Sequence, residues 1–279
     1  MAIELPRGTA RRDPGPVLWT VAGGCWLLLT GLAVLNPGLA HHHGVVADLR
    51  SGTAVTLALT TFAGAWLVMV AAMMLPSTVP MARMFAVVTA RVERRTRVRA
   101  VFLSAYFAVW LAFAVVALIG DAAVHAVVDT APWLRERDDL VLAGALALAG
   151  VAQFTPLTRR CLRACRDPRG FLFQHYRRGT AAAWALGLRH GLYCLGCCWA
   201  LMLVMFVTAT GNLWWMVALT AVMVAEKTTR RGHLLVAPVG VVLLFAAVWL
   251  VLAGVGSVPV ADQMPVPHQH HAGLIAPER

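Results

Sequence analysis

The segment His190-Gly-Leu-Tyr-Cys194-Leu-Gly-Cys197-Cys198-Trp199 gathers one imidazole and three thiols within a few residues. At about 100° per residue, positions 190, 194, 197 and 198 share one face of a helix. Soft sulfur with imidazole is the donor set that copper(I) and zinc prefer. The same residues sit in an almost unbroken apolar run from Leu192 to Leu213, and a helix crossing a bilayer needs about 20 apolar residues. A lone cysteine there is ordinarily a small apolar filler. Three thiols one turn beyond a histidine, at a depth where polar groups are costly, point instead to a metal or redox role. Gly187, Gly191 and Gly196 on the same helix would let a neighbouring helix approach closely.

The elements that must hold these residues follow from composition. Apolar residues are 59% and charged residues 13% of the 279, which excludes an ordinary soluble balance. We expect an all-α fold, a polytopic transmembrane helical bundle of about seven spans, near 17–35, 56–77, 100–119, 139–156, 188–210, 213–227 and 234–254. A net charge of +11 would suit nucleic acid if it were clustered on one soluble face. Its distribution excludes that partner, because the arginines concentrate in alternate connections, before span one and between spans two and three, four and five, and six and seven. Basic loops of this kind are orientation signals and contacts for the lipid bilayer. They predict a cytoplasmic segment 1–16, a transmembrane domain 17–256 and an extracytoplasmic His-rich tail 257–279. Gly38-Leu39-Ala40 resembles a signal-peptidase site, but the apolar run before it is longer than a signal core, so an uncleaved anchor is expected. Cysteines facing the cytoplasm or the membrane do not suggest a disulfide framework.

Counting at about 1.5 Å per residue brings other groups to the depth of the cysteines. Cys194 and Cys198, Glu226, Met73 and Met74, and Gln153 and Thr155 all fall about 20–26 Å below the outer surface. Thioethers suit copper(I), although a Met-rich face is also ordinary flexible packing. Pro76 either breaks span two beside a cavity or ends it at the inner surface. Cys161 and Cys165 stand one turn apart among arginines, which would favour thiolate for metal hand-off or thiol exchange; they are otherwise two free surface thiols. Glu226 reads as a ligand, a proton carrier or, taken alone, the ion-pair partner of Lys227. Outside, His41-His42-His43 and the Met264…His268-Gln-His270-His271 tail are flexible tracts of the kind that collect metal ions. Asp121, His125 and Asp129 share a face at the outer end of span three, either as a cation site or as a polar helix end.

Four motifs carry a family resemblance: Ala-Met-Met-Leu-Pro-Ser at 72–77, Thr-Pro-Leu with the following Cys-x-x-x-Cys at 155–165, Gly-x-x-Cys-x-Gly-Cys-Cys-Trp at 191–199, and Ala-Glu-Lys at 225–227. The chain resembles the predicted metal-binding integral membrane proteins (domain of unknown function 2182), from span two through span six. The resemblance implies a multi-pass protein of the bacterial inner membrane with a metal site at the matching positions Met73, Met74, Cys161, Cys165, Cys194, Cys197, Cys198 and Glu226. His190 joins them by helical geometry. The metal expected is copper(I) or zinc, handled by transport, delivery or sensing without covalent chemistry. Expected partners are the metal ion, the lipid bilayer, and a metal chaperone or other membrane subunits. A membrane thiol–disulfide protein using the Cys-Leu-Gly-Cys-Cys cysteines, or a structural subunit of a membrane complex, are the alternatives. There is no phosphate-binding loop to drive an ATP-dependent pump.

Overall fold

The computed structural model describes residues 13–35, 55–131, 137–207 and 213–256, and among these every regular element is helical. In chain order they are α1 (Gly15–Leu35), α2 (Val55–Val88), α3 (Arg95–Thr130), α4 (Asp138–Phe154), α5 (Pro156–Arg166), α6 (Pro168–His175), α7 (Thr180–Val207), α8 (Leu213–Thr228), a 3₁₀ turn (Gly232–Leu234) and α9 (Val236–Gly256). Among the described residues five helices are long and apolar enough to cross a membrane, and α4 with α5 makes six if that bent pair is one span. Each expected span overlaps a helix among the described residues. α8, with 16 residues, falls short of the usual crossing length. Several helices run past the apolar stretch that announced them: α2 continues to Val88, α3 starts at Arg95 and ends at Thr130, and α7 begins at Thr180. Arg83, Arg97 and Arg99 therefore sit on helical extensions rather than in loops.

The bundle is built from close pairs. α3 packs along α7, α4 along α9, and α1 along α2, while α5 lies across α7 and α8 against α2. α3 and α7 can meet because Gly187 abuts the Phe102 carbonyl and Gly191 abuts Val109; small residues permit such backbone approach without the hydrophobic drive that water supplies. Trp66 on α2 donates its indole N–H to the Trp110 carbonyl on α3 at 3.0 Å. Apolar side chains such as Leu27, Val116, Phe245 and Trp249 point outward, as helices that face lipid require.

Two proline sites show how context decides a helix's course. Pro76 neither breaks nor ends α2, which runs through both Pro76 and Pro80. A proline leaves the carbonyl four residues earlier without its helical donor. That carbonyl, Ala72 O, accepts the indole N–H of Trp26 from α1 at 3.1 Å, so the helix continues at little cost. At Pro156 the chain does turn. Thr155 takes an extended conformation, which the residue before a proline favours. Its hydroxyl then accepts the Thr158 N–H at 3.3 Å, starting a new helix with Pro156 in its first turn. α4 and α5 consequently meet at a 67° bend.

Arginines finish two of the helices. Arg99 donates to the Ala86 carbonyl at 2.8 Å and to the Thr89 hydroxyl at 3.2 Å, closing the end of α2. Arg166 donates to the carbonyls of Glu226, Thr229 (2.8 Å) and Arg230 (2.9 Å), closing the end of α8 and tying it to α5. Terminal carbonyls lack helical donors and need such partners.

Candidate metal centre

The bend at Thr155-Pro156 governs the site. It turns α5 back across the bundle, so that its arginines face outward and Thr158, Cys161 and Leu162 face the core. Cys161 is therefore not a surface thiol. Cys161 is buried with its sulfur against α7, where a methyl group on Gly196 would lie 2.6 Å from it. Cys165, one turn on, is half-buried and packs against the core that holds Cys194 and Cys197. Free surface thiols were one of two sequence readings of this arginine-flanked pair; in a strongly amphipathic helix the arginines occupy the face opposite Cys161.

On α7 the three cysteines face inward together. The thiols of Cys197 and Cys198 both donate to the Cys194 carbonyl, at 3.0 and 2.9 Å. The Cys194 sulfur shares a 3.2 Å hydrogen bond with the Tyr106 hydroxyl of α3. All three cysteines are buried, and all described cysteines are free.

The centre of the cluster is taken by an ammonium. Lys227 Nζ of α8 lies 3.2 Å from Cys194 Sγ, 3.6 Å from Cys198 Sγ and 3.7 Å from the Met74 thioether of α2. Thus α2, α3, α5, α7 and α8 each bring a side chain to one buried layer. Glu226 does not pair with Lys227; its carboxylate accepts the Gln153 side-chain N–H of α4 at 3.1 Å. The convergence of Gln153, Glu226, Met74 and the thiols matches the depth count. Met73 is fully buried in the same core, but the thioether at the ammonium is that of Met74.

His190 stands one turn from Cys194 in an aromatic box. Its ring stacks on Phe102 and Tyr106, with centroids 5.9 and 5.6 Å away, and Phe171 meets it edge-on at 5.9 Å. Its Nε2 is buried with no hydrogen-bond partner among the described residues. Tyr106 joins box and cluster, its ring on His190 and its hydroxyl on Cys194. Among the described residues no three His, Cys, Asp or Glu side chains form a ready metal cage; the space between the sulfurs holds Lys227. At the other end of α3, His125 Nδ1 is 2.9 Å from the Asp121 backbone oxygen, in keeping with a polar helix end. The residue 41–43 and 264–271 tracts lie outside the described residues.

Residues 63–250 match the model of a protein family, PpoB2, described as copper chaperone. The chain belongs to this family. The matched region of this copper-chaperone family member contains every residue of the sulfur cluster and omits α1. No curated protein and no solved structure matches the chain.

Lys227 and Tyr106 are the site residues that sequence reasoning passed over. Lys227 had a visible signal, because it is the single lysine among 24 basic residues. Tyr106 had none, since only the packing of α3 on α7 makes it a neighbour of the thiols.

Proposed function

We propose that this protein is a membrane copper chaperone that takes copper(I) as its cargo on the thiols of Cys194, Cys197, Cys198 and Cys165 and the thioether of Met74. One observation carries the proposal: these soft donors, drawn from three helices, pack into one core in a chain of the copper-chaperone family. Thioether with thiolate favours copper(I) over zinc, which prefers four nitrogen, thiolate or oxygen donors. His190 is a further donor, and its unpartnered Nε2 supports that role. Glu226, Cys161 and Met73 belong to the surrounding shell, orienting the donors rather than bonding the ion. Delivery, rather than pumping or sensing, fits membership of a family described as copper chaperone and an α5 that faces the core with Cys161 and the outside with arginines.

The motifs of the predicted metal-binding integral membrane proteins all lie within the residues matched to the family, which supports the same assignment. We further propose seven spans in a bacterial cytoplasmic membrane, with segment 1–16 inside and the tail 257–279 outside. In that arrangement the His-rich outer tracts gather the ion, the domain 17–256 holds it, and an inner metal chaperone or another membrane subunit receives it. The arginine distribution supports this orientation.

Elemental analysis of the purified full-length protein, loaded with copper(I) and challenged with a mild chelator, tests the cargo. About one copper per chain is expected, falling to background in the Cys194→Ser/Cys197→Ser/Cys198→Ser variant. Equal copper in both proteins would sink the proposal. Thiols that react only after metal removal fit a copper site; a disulfide in freshly extracted protein would favour the thiol–disulfide alternative.

A further inference from the structure

Twenty-three of the 24 basic residues are arginine, and the only lysine is the one buried among the sulfurs. Arginine closes the C-terminal ends of α2 and α8, through Arg99 and Arg166. The cluster instead holds a compact ammonium on a flexible four-carbon stem. Its contacts there are with Cys194, Cys198 and Met74, sulfur acceptors that bind a donor weakly. The neighbouring carboxylate, Glu226, is engaged by Gln153. Lys227 thus sits as a monovalent cation coordinated by the very atoms proposed to hold copper(I). It cannot remain when the ion arrives, because metal–thiolate bonds of about 2.3 Å leave no room for an ammonium between the same sulfurs. Two like charges at that separation also repel strongly in a low-dielectric interior. An exit exists: Lys227 is one residue from the end of α8, and Thr228 and Thr229 beside it are exposed. A lysine at a helix end can keep its stem in place and turn its head to the surface.

We propose that Lys227 is a built-in substitute for the cargo: its ammonium fills the sulfur cluster in the empty protein, leaves when copper(I) binds, and returns to help expel the ion on delivery. Loading and unloading are then an exchange of one cation for another, the thiols that bind copper(I) releasing their protons on loading and regaining them on delivery. Buried thiols and a thioether that would otherwise close on one another or on a wrong metal are held apart in the empty state. This inference rests on the copper(I) reading of the cluster.

The single lysine makes the test direct. Wild-type full-length protein in detergent is treated with an amine-acylating reagent, empty or loaded with copper(I), and the peptide containing Lys227 is followed by mass spectrometry. Copper is expected to speed acylation of Lys227 by roughly tenfold or more, as the side chain passes from a mostly buried to a mostly exposed population. Unchanged acylation in protein that demonstrably retains its copper overturns the exchange and leaves the copper site standing. Wild-type protein that retains no copper defeats the functional reading itself. A second measurement uses Lys227→Gln, which removes the competing charge. Its copper is expected to leave for a chelator roughly tenfold more slowly than from wild type, while Lys227→Arg, which restores a cation, shows no such slowing. Release from Lys227→Gln at or above the wild-type rate overturns the proposal.

Discussion

At the scale of single residues, the site divides adjacent side chains that the sequence presents as equals. Met73 and Met74 are neighbours and both fully buried, yet only the Met74 thioether meets the ammonium. Met74→Leu is expected to lower copper retention about tenfold, the loss of one soft donor, whereas Met73→Leu, a nearly volume-conserving swap, costs under about 1.5 kcal/mol of stability and a smaller part of the retention. Copper per chain across a chelator series, beside thermal unfolding, separates the two; equal losses would contradict the assignment of Met74. Tyr106→Phe removes a buried hydroxyl that bonds Cys194. It should cost about 1 kcal/mol and loosen both the thiol and the His190 box, visible as faster alkylation of Cys194 in empty protein. The cysteines, the histidine and Glu226 were legible in the sequence because their types are expensive in a membrane. Which of them touch was not, since that depends on rotations of five helices about their own axes.

At the scale of helices, apolar run length located the five described helices long enough to cross a membrane, but not the fate of the two prolines. Both follow the same local rule, and the difference lies in whether another helix supplies a donor. Trp26, distant in sequence, does so for Pro76, and no local pattern can report it. The two positions should therefore be coupled. In the wild type, Trp26→Phe orphans the Ala72 carbonyl and costs about 1 kcal/mol. In a Pro76→Ala background the backbone N–H at 76 can serve that carbonyl, and the same change should cost close to nothing. A double-mutant cycle by chemical unfolding in detergent checks this; additive effects would show that the indole bond does not carry the helix through the proline. At the α3–α7 contact, Gly187→Leu would drive a side chain into the Phe102 carbonyl and is expected to destabilise by about 1–3 kcal/mol, lowering the unfolding midpoint.

At the scale of the whole molecule, charge and packing describe different halves of the problem. The arginine asymmetry predicts orientation, and reporter fusions after residues 40, 90, 130, 170 and 279 should read out, in, out, in and out. A cytoplasmic signal at 279 would put the His-rich tail on the wrong side for gathering ions. Packing, by contrast, ranks the helices by how firmly they belong. α1 buries little beyond Leu18 and Ala22. It touches the remainder through α2 alone among its principal partners, aided by the Trp26 bond and an Asp13–Arg83 ion pair at 3.1 Å. It contributes nothing to the sulfur layer. The molecule should accordingly come apart in stages: in hydrogen exchange, amides of α1 should open at a lower free energy than those of α3 and α7, and copper should raise protection across α2, α5, α7 and α8 while leaving α1 nearly unchanged. α1 is then a rider on the fold's surface whose lipid-facing residues, Trp26 apart, are free to vary and to serve as a contact for other membrane proteins without disturbing the sulfur layer.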